Sequence, residues 1–416
     1  MDPAVTVLFL GILIFLGNIL CRFFTLTKIP DVLFLIAIGI VIGPLLGFVV
    51  PSAFGVVGPL FTQVTLAIIL FEGGLHITIE TLKKSINGTA AITVTNFVVI
   101  TAICIGVMHY WAGFTFTEAG MLGAILGGTS SAVVIPFTNF LNLRNDTKAI
   151  LSLESAISDV LCIVVLLALL DVVKANQFDV GRLFGNLISS FLVAIIIGVV
   201  AGVWWSSVYH RLRDIRSIFI TPAFVFIVFG FVSLLGFSGA IAALALGVTL
   251  GNLYYFKAEK ILPFLGDNIT QVELTPVEKE FFSQLVNLLK TFFFIYIGIS
   301  IHFGDMTVIW LGAVLTVIIY VARIVMVWFT IPRGIPAPDA AIVSVMEPKG
   351  LAAAVLASLP LEAGIAAGQT IQDVTYIVIF FSILACSVMI FLLERTAFSK
   401  VYRKLFWSFG RETGPA

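Results

Sequence analysis

The sequence predicts an all-α polytopic membrane protein with about 13 transmembrane helices of the usual length of about 20 residues. Three observations support this fold class. The chain is 60% hydrophobic and only 11% charged, with a mean hydropathy of +1.14, whereas a soluble domain has about 25% charged residues. Apolar runs of spanning length recur along the chain, and basic residues concentrate in alternate connections between them.

The predicted spans are numbered 1 to 13 in chain order. They are residues 4–24, 31–50, 56–78, 88–112, 118–140, 148–171, 183–209, 217–236, 239–255, 281–303, 306–331, 338–361 and 371–394. The longest connection is 256–280, so these residues leave no room for a soluble nucleotide-binding or catalytic domain. The formal net charge is zero, which gives no basic surface for a nucleic-acid partner.

Two further classes of function lack a sequence signal. No nucleophile and base pair stands out, so we expect no enzyme. The four cysteines lie far apart in apolar runs without metal-ligand spacing, so we expect no cofactor and no disulfide. They are Cys21, Cys104, Cys162 and Cys386.

The charge map predicts the orientation. Most Lys and Arg residues lie in the connections after spans 1, 3, 5, 7, 9 and 11 and in the C-terminal tail. The side rich in Lys and Arg is cytoplasmic by the positive-inside rule, which places the N-terminus outside and the C-terminus inside and requires an odd number of spans. The N-terminal segment has neither a basic region before span 1 nor a small-residue cleavage site after it, so we expect span 1 to be retained. We expect a multi-pass protein of a prokaryotic plasma membrane.

Two spans carry helix-breaking residues at membrane depth. Span 5 reads "GAILGGTSSAVVIPF", and span 12 reads "VSVMEPKGLAAAVLASLP" with Glu347, Pro348, Lys349 and Gly350 in its middle. Broken backbone survives at this depth only where it faces protein or a water-filled cavity. Paired breaks in corresponding places are typical of inverted-repeat transporters with a midplane site. Two proline-kinked helices are the alternative.

The breaks also predict the domain organisation. If span 7 links two halves, spans 5 and 12 are each the fifth of six, so the sequence predicts two inverted six-helix repeats whose discontinuous helices cross. The whole chain, 1–416, would be one transmembrane domain. Its parts would be the first repeat, 1–172, the linking helix, 183–209, the second repeat, 217–394, and a short cytoplasmic tail, 395–416.

Span 6, "SLESAISDVLCIVVLLALL", places two acids inside the membrane, Glu154 and Asp159. An aspartate at mid-bilayer costs roughly 3 kcal/mol on insertion scales. Ser155 and Asp159 are four residues apart and share a helix face. Glu154 lies roughly 140° around the helix from Asp159, so the two acids are expected to have different roles.

Arg323 in span 11 requires an acid partner, because an unpaired charge in the bilayer is costly. Glu154 is the predicted partner, in a structural ion pair. Asp159 then lacks a permanent cation. Burial disfavours its charged form, so proton exchange near physiological pH is expected, and an acid that binds either a proton or a cation can act as a carrier. Alternatively, Asp159 pairs with Lys349.

Glu72 in "LAIILFEGGLHI" of span 3 is a further intramembrane carboxylate. It is either a second oxygen ligand or a structural acid, and the sequence does not choose between them. The histidines lie near span ends, where solvation explains them without a pH-sensing role. They are His76, His109, His210 and His302.

These residues together resemble the monovalent cation:proton antiporter superfamily, of the sodium/proton exchanger type. The resemblance covers nearly the whole chain and depends on the order and spacing of its motifs. They are "LFEGGL" in span 3, the break in span 5, "LESAISDV" in span 6, "FFFIYIGISI" in span 10, the arginine of span 11 and the "KG" break of span 12.

The resemblance implies roles for individual residues. The span 6 aspartate of such exchangers binds cation and proton in turn, which implies Asp159 here. Oxygens near the span 5 break complete the site, which implies Thr129 and Ser130. In some members the serine one turn earlier and the span 3 glutamate are ligands, which implies Ser155 and Glu72. The remaining roles it implies are a structural ion pair of Glu154 with Arg323 and a homodimer with a mobile core domain.

The sequence departs from the family pattern at two places. The residue before the aspartate is Asp in electrogenic members and Asn in electroneutral ones, and here it is Ser158. One span 5 signature is Thr-Asp-Pro, whereas this chain has Thr129, Ser130 and Ser131, which is similar to the potassium-efflux branch. We count Ser158 among the site residues, together with the broken-helix charges Glu347 and Lys349.

The sequence therefore predicts a secondary antiporter that exchanges Na⁺, or alternatively K⁺, for H⁺ by alternating access. With Ser158 neutral, exchange of one cation for one proton is expected. Hard alkali cations suit the oxygen ligands, and no soft ligand set for a transition metal is present. A sodium-coupled symporter of an organic solute is a rival that would need a more polar cavity. A channel would need a ring of carbonyls or like charges, which the sequence does not show.

Overall fold

A computed structural model gives the fold. It describes residues 31–49, 57–77, 79–175, 180–212, 218–256, 274–301, 305–396 and 398–410, and five isolated residues before position 20. Most of predicted span 1 and most of the 256–280 connection therefore lie outside the described residues, as do Cys21 and His302.

Within the described ranges the regular structure is entirely helical, as predicted. The helices are α1 (Asp31–Ile40), α2 (Val57–His76), α3 (Ile79–Ala112), α4 (Phe116–Leu126), α5 (Ser131–Phe140), α6 (Asn145–Ala175), α7 (Val180–Leu212), α8 (Ile220–Leu234), α9 (Gly239–Gly251), α10 (Pro276–Ser300), α11 (Met306–Thr330), α12 (Ala337–Val345), α13 (Leu351–Glu362), α14 (Gly368–Arg395) and α15 (Phe398–Leu405). A π-helical turn, Val41–Leu45, continues α1 around Pro44.

Long apolar helices support the membrane assignment. Five segments are long and apolar enough to cross a bilayer: Thr89–Ala112, Asn145–Val173, Pro276–Ser300, Met306–Thr330 and Gly368–Arg395. Several shorter apolar helices accompany them, including the first half of predicted span 5 and the second half of span 12. The count of 13 spans and the repeat boundaries stay predictions.

The chain folds into two compact units. The first contains residues 1–55, 85–174 and 290–416, and the second contains residues 56–84 and 175–289. Each unit is assembled from segments distant in sequence. All of the predicted site residues except Glu72 belong to the first unit.

The second unit is built on close helix packing around α9, which contacts α2, α7 and α8. At Gly247 of α9 a Cβ atom would lie 2.1 Å from the carbonyl oxygen of Phe71 in α2. Only glycine permits this approach of two backbones, which is the way small residues pack membrane helices. Asn252 follows α9 and accepts a hydrogen bond from Ile79 N at 2.8 Å, which connects α9 to the start of α3.

Buried polar contacts hold the first unit together at its helix ends. Lys290 of α10 forms an ion pair with Asp31 at the start of α1, with Nζ 2.8 Å from Oδ2. Asp339 of α12 accepts hydrogen bonds from Thr147 Oγ1 at 2.7 Å and from Arg144 N at 3.0 Å. The N-terminal half of predicted span 12 is thereby attached to the beginning of α6.

The segment after α14 returns to the connection between α11 and α12. The guanidinium of Arg333 lies 4.4 Å from the ring centroid of Trp328 and 4.4 Å from that of Phe409. Gly410 N donates to Arg333 O at 3.0 Å. These cation–π contacts attach residues after α15 to the base of α12.

Candidate functional site

Both predicted breaks are real interruptions, and they meet. Helix α4 ends at Leu126 before α5 begins at Ser131, and α12 ends at Val345 before α13 begins at Leu351. Across the gap, Ser130 N donates to Pro348 O at 2.8 Å. Each span is therefore two half-helices and not one kinked helix, which excludes the proline-kink alternative. The crossing that the sequence predicted lies inside the first unit.

The two breaks cross so closely that one of them has no room for a side chain at Gly350. A Cβ atom at Gly350 would lie 1.9 Å from Ser130 Oγ and 2.5 Å from Ser130 Cβ. A hydroxyl can rotate away, but Ser130 Cβ is fixed to the backbone. Glycine is therefore required at position 350 because a Cβ atom would clash with Ser130, and its backbone angles are not the reason.

Side chains satisfy the backbone groups that the breaks expose. Lys349 Nζ donates to Gly128 O at 2.9 Å. Thr129 N donates to Ser158 Oγ of α6 at 3.1 Å. Lys349 N donates to Ser382 Oγ of α14 at 2.9 Å. Unpaired backbone groups at this depth cost several kcal/mol each, so these contacts stabilise the broken helices.

A buried network of four charges surrounds the crossing. Arg323 donates two hydrogen bonds to Glu154, the partner that the sequence named, with Nη2 2.7 Å from Oε2. Arg323 Nε also lies 3.3 Å from Glu347 Oε2, and Lys349 pairs with Glu347 Oε1. All four side chains are at most 1% exposed. Two cations and two anions thus compensate one another, as buried charges require.

Asp159 does not join this network. Its Oδ2 accepts a hydrogen bond from Ser131 Oγ at 3.3 Å, and no basic group in the described part of the chain forms an ion pair with it. Lys349 directs its ammonium to Glu347 and Gly128, so the ion pair in the structure is with Glu347 and not with Asp159, the alternative partner. Asp159 is half-buried and lies beside the first residue of α5.

The hydroxyl-bearing candidates divide by their contacts. Ser155 is fully buried and donates to Ser152 O at 3.0 Å. Ser158 donates to Ser155 O at 3.1 Å while accepting from Thr129 N. Ser130 Oγ is buried without a hydrogen-bond partner. Ser130 Oγ lies at the crossing beside Gly350, and Thr129, the preceding residue in the break, is 2% exposed.

Glu72 lies in the second unit, near the end of α2. Its Oε1 is 3.0 Å from His76 Nε2, one helical turn later. Glu72 thus has a protein partner within its own unit, a contact that favours the structural role over the ligand role. The sequence treated His76 only as a solvated interfacial residue and did not foresee this pair.

Sequence reasoning missed three polar partners of the site. Ser131 donates to Asp159, and Asn96 of α3 donates to Glu347 Oε1 at 3.1 Å. Tyr320 of α11 donates to Ser382 O at 2.7 Å. Asn96 and Tyr320 are polar residues inside apolar spans, and that position was the signal available to find them.

Comparison with known proteins identifies the family of this chain. A family model described as "Sodium/hydrogen exchanger, transmembrane" matches residues 10–395. The chain belongs to the sodium/hydrogen exchanger family. The predicted resemblance to the monovalent cation:proton antiporter superfamily is thereby confirmed. The family consists of integral membrane transporters.

Two curated relatives show the range of the similarity of this chain to known proteins. It is 27% identical over 337 residues to the K⁺/H⁺ antiporter NhaP2 of Shewanella sp. (strain ANA-3), covering 78% of this chain and 55% of the relative. It is 24% identical over 328 residues to the Na⁺/H⁺ antiporter 1 of Methanocaldococcus jannaschii, covering 72% of this chain and 70% of that protein. The chain thus spans about half the length of the Shewanella relative.

The fold of this chain is also similar to that of a solved structure. The sodium proton antiporter MjNhaP1 from Methanocaldococcus jannaschii at pH 8 superposes with a TM-score of 0.73 and 18% identity, covering 93% of this chain and 100% of the other. At this identity the comparison shows the shared fold alone.

Proposed function

We propose that this protein is a secondary active antiporter that exchanges a monovalent cation for H⁺ by alternating access. The observation that carries the proposal is the state of Asp159. It is a carboxylate beside two interrupted helices, with a hydroxyl partner in Ser131 and no fixed cation within the described residues. Transported ions supply the missing positive charge.

Competition at one carboxylate couples the two ions. A proton on Asp159 removes the charge that attracts the cation, and a bound cation excludes the proton. Each loaded form is neutral at this position and moves between the two sides, whereas the empty charged form moves poorly because burying an unpaired charge is costly. Net exchange follows from this restriction alone.

The half-helices provide the remaining electrostatics. The N-terminus of α5 is at Ser131, and the positive end of a helix dipole stabilises a nearby anion, here the carboxylate of Asp159. Oxygens of Thr129 and Ser130 are the proposed additional ligands, since both are buried at the crossing. Half-helix ends around a midplane ion site are typical of inverted-repeat transporters.

Sodium is our first choice of cation and potassium the alternative. The relatives' printed names include both a K⁺/H⁺ and a Na⁺/H⁺ antiporter. Ser158 is neutral and its hydroxyl is already engaged with Thr129 N and Ser155 O. It therefore adds no second charge to the site, which supports electroneutral exchange of one cation for one proton.

Further proposals depend on the family resemblance and the sequence. They are two inverted repeats, a homodimer and a cytoplasmic C-terminus in a prokaryotic plasma membrane. Ser155 is a further proposed ligand of the cation, since its hydroxyl donates to Ser152 O and keeps its lone pairs.

The decisive experiment is a proteoliposome assay with an internal pH dye. Adding Na⁺, K⁺ or Li⁺ outside acid-loaded vesicles is expected to cause proton efflux for at least one cation. Proton flux that requires an organic solute in addition to Na⁺ would support the symporter alternative. No proton movement with any alkali cation would refute antiport.

A further inference from the structure

The ammonium of Lys349 lies at the same crossing as Asp159. Its Nζ contacts Gly128 O at 2.9 Å. A Cβ atom on Gly128 would lie 3.4 Å from the backbone oxygen of Ser158, the residue before Asp159. The next residue, Thr129, donates its N–H to Ser158 Oγ. Lys349 is thus linked to Asp159 through contacts of Gly128, Thr129 and Ser158, but it forms no ion pair with Asp159.

Glu347 explains why. Its carboxylate binds the Lys349 ammonium through Oε1, and the same oxygen accepts from Asn96 Nδ2 at 3.1 Å. Its other oxygen lies 3.3 Å from Arg323 Nε. Glu347 is 0% exposed, so three side chains from two other helices and its own break hold it in place. The anion that neutralises Lys349 is therefore fixed away from Asp159.

The formal charges around the crossing leave one negative charge without a partner. Glu154, Arg323, Glu347 and Lys349 sum to a formal charge of zero. Of the other buried acids of the unit, Asp31 pairs with Lys290, and Asp339 lies at the start of α12, where its carboxylate accepts hydrogen bonds from Thr147 Oγ1 and the backbone N–H of Arg144. Among the described residues around the crossing, Asp159 alone keeps an uncompensated negative charge.

We propose that Glu347 is a positioning residue that sequesters the Lys349 ammonium against the Gly128 carbonyl and thereby keeps Asp159 open for the transported cation. The inference rests on the proposed antiport at Asp159 and adds a determinant of cation affinity to it. Without the Glu347 charge, Lys349 becomes the counter-ion of Asp159 and competes with the substrate cation. Without the Lys349 charge, the surplus anion attracts the cation more strongly.

Three variants test the charge balance. Glu347→Gln is expected to weaken the apparent cation affinity by at least about tenfold, which is the effect of one unit charge roughly 12 Å away at an effective dielectric constant of about 20. Lys349→Met is expected to strengthen it by a similar factor and to slow cation release. The double variant Glu347→Gln/Lys349→Met is expected to return to within about threefold of wild type, because neutrality is restored.

Affinity is measured in two ways. The first is the cation concentration for half-maximal proton flux in proteoliposomes. The second is the rise in melting temperature of purified protein with NaCl or KCl, against choline chloride at equal ionic strength. Glu280→Gln is the matched control, because it removes one exposed carboxylate of α10 and should leave both readouts unchanged.

The outcomes separate the two proposals. Opposite shifts in the single variants with restoration in the double variant support the role of Glu347. Shifts in the same direction, or none, overturn it while wild-type exchange still stands. Absence of exchange in wild type refutes the antiport instead, and the melting assay still measures cation binding. If Glu347→Gln does not fold, the Lys349→Met result decides, since unchanged or weakened affinity there overturns the proposal.

Discussion

Arg323 of α11 and Glu154 of α6 are joined by two hydrogen bonds between side chains that are at most 1% exposed. The residues are 169 positions apart, so their pairing connects the two halves of the sequence. Asp159, the second acid in the predicted intramembrane part of α6, has no basic partner in the described part of the chain. One ion pair thus distinguishes Glu154 from Asp159, for which we propose the carrier role.

Removing one partner of that pair should destabilise the protein more than it alters selectivity. Glu154→Gln or Arg323→Ala leaves an uncompensated buried charge, at a cost of about 3–5 kcal/mol. A lower melting temperature and a lower yield in detergent are expected, with the ratio of Na⁺ to K⁺ transport unchanged in protein that folds. Glu394→Gln and Arg395→Ala, which alter exposed residues at the end of α14, are the controls. Wild-type melting of both pair variants would contradict the structural role.

Asp159→Asn should abolish exchange while leaving a folded protein. The amide keeps the shape of the carboxylate and is cheaper to bury, but it neither titrates nor carries the charge that attracts a cation. Proton flux in proteoliposomes should vanish with Na⁺, K⁺ and Li⁺, whereas the melting temperature should not fall. Asp171→Asn, which changes an exposed residue of the same helix, should retain transport.

In wild type, the apparent cation affinity should weaken as pH falls, because protons occupy the same carboxylate. The concentration of cation for half-maximal flux, measured at several pH values, checks this. Transport in Asp159→Asn, or an affinity that does not change with pH, would remove Asp159 from the centre of the site and direct attention to Glu72.

Gly350→Ala should separate the crossed breaks. Its Cβ would lie 2.5 Å from Ser130 Cβ, closer than two carbons can pack, so the backbones must move and the bond from Ser130 N to Pro348 O must lengthen. Loss of most transport and a reduced melting temperature are expected. Gly106→Ala is a matched control, since no atom lies within 4 Å of its added Cβ. Adding Ser130→Gly to Gly350→Ala removes the clash and should restore part of the activity. Failure of that rescue would mean that Gly350 matters for another reason.

Exchange should be insensitive to membrane voltage. Ser158 carries no charge and its hydroxyl accepts a hydrogen bond from Thr129 N, so we expect one cation to exchange for one proton without net movement of charge. Proton flux driven by a Na⁺ gradient should be the same at imposed potentials of either sign, set with an ionophore for an ion that is not transported. Flux that reverses with voltage would show that a second charge moves, with Lys349 and Glu72 as the first groups to examine.

Local sequence predicted the helices, the need of Arg323 for an acid partner and the two helix breaks. Apolar length predicts helices for reasons of backbone hydrogen bonding in lipid, and a lone Arg323 in a span predicts an acid partner because a buried charge demands one. Breaks were recognisable because Gly, Pro and charged residues interrupt apolar runs in "GAILGGTSSAVVIPF" and "VSVMEPKGL". Each of these inferences follows from a cost that a residue incurs wherever its helix is placed.

Partner choice required the tertiary structure. The sequence allowed Lys349 to pair with Asp159, whereas in the structure Lys349 contacts Glu347 and Gly128. The sequence allowed Glu72 to be either a ligand or a structural acid, and in the structure Glu72 contacts His76, which favours the structural role. Asn96, Ser131 and Ser382 entered the site only through contacts across 251, 28 and 33 positions of sequence. By itself the sequence determined that buried charges and broken helices must be compensated, because burial makes that necessary. Which group compensates which was decided by distances of about 3 Å between helices, and such distances exist only once the helices have packed.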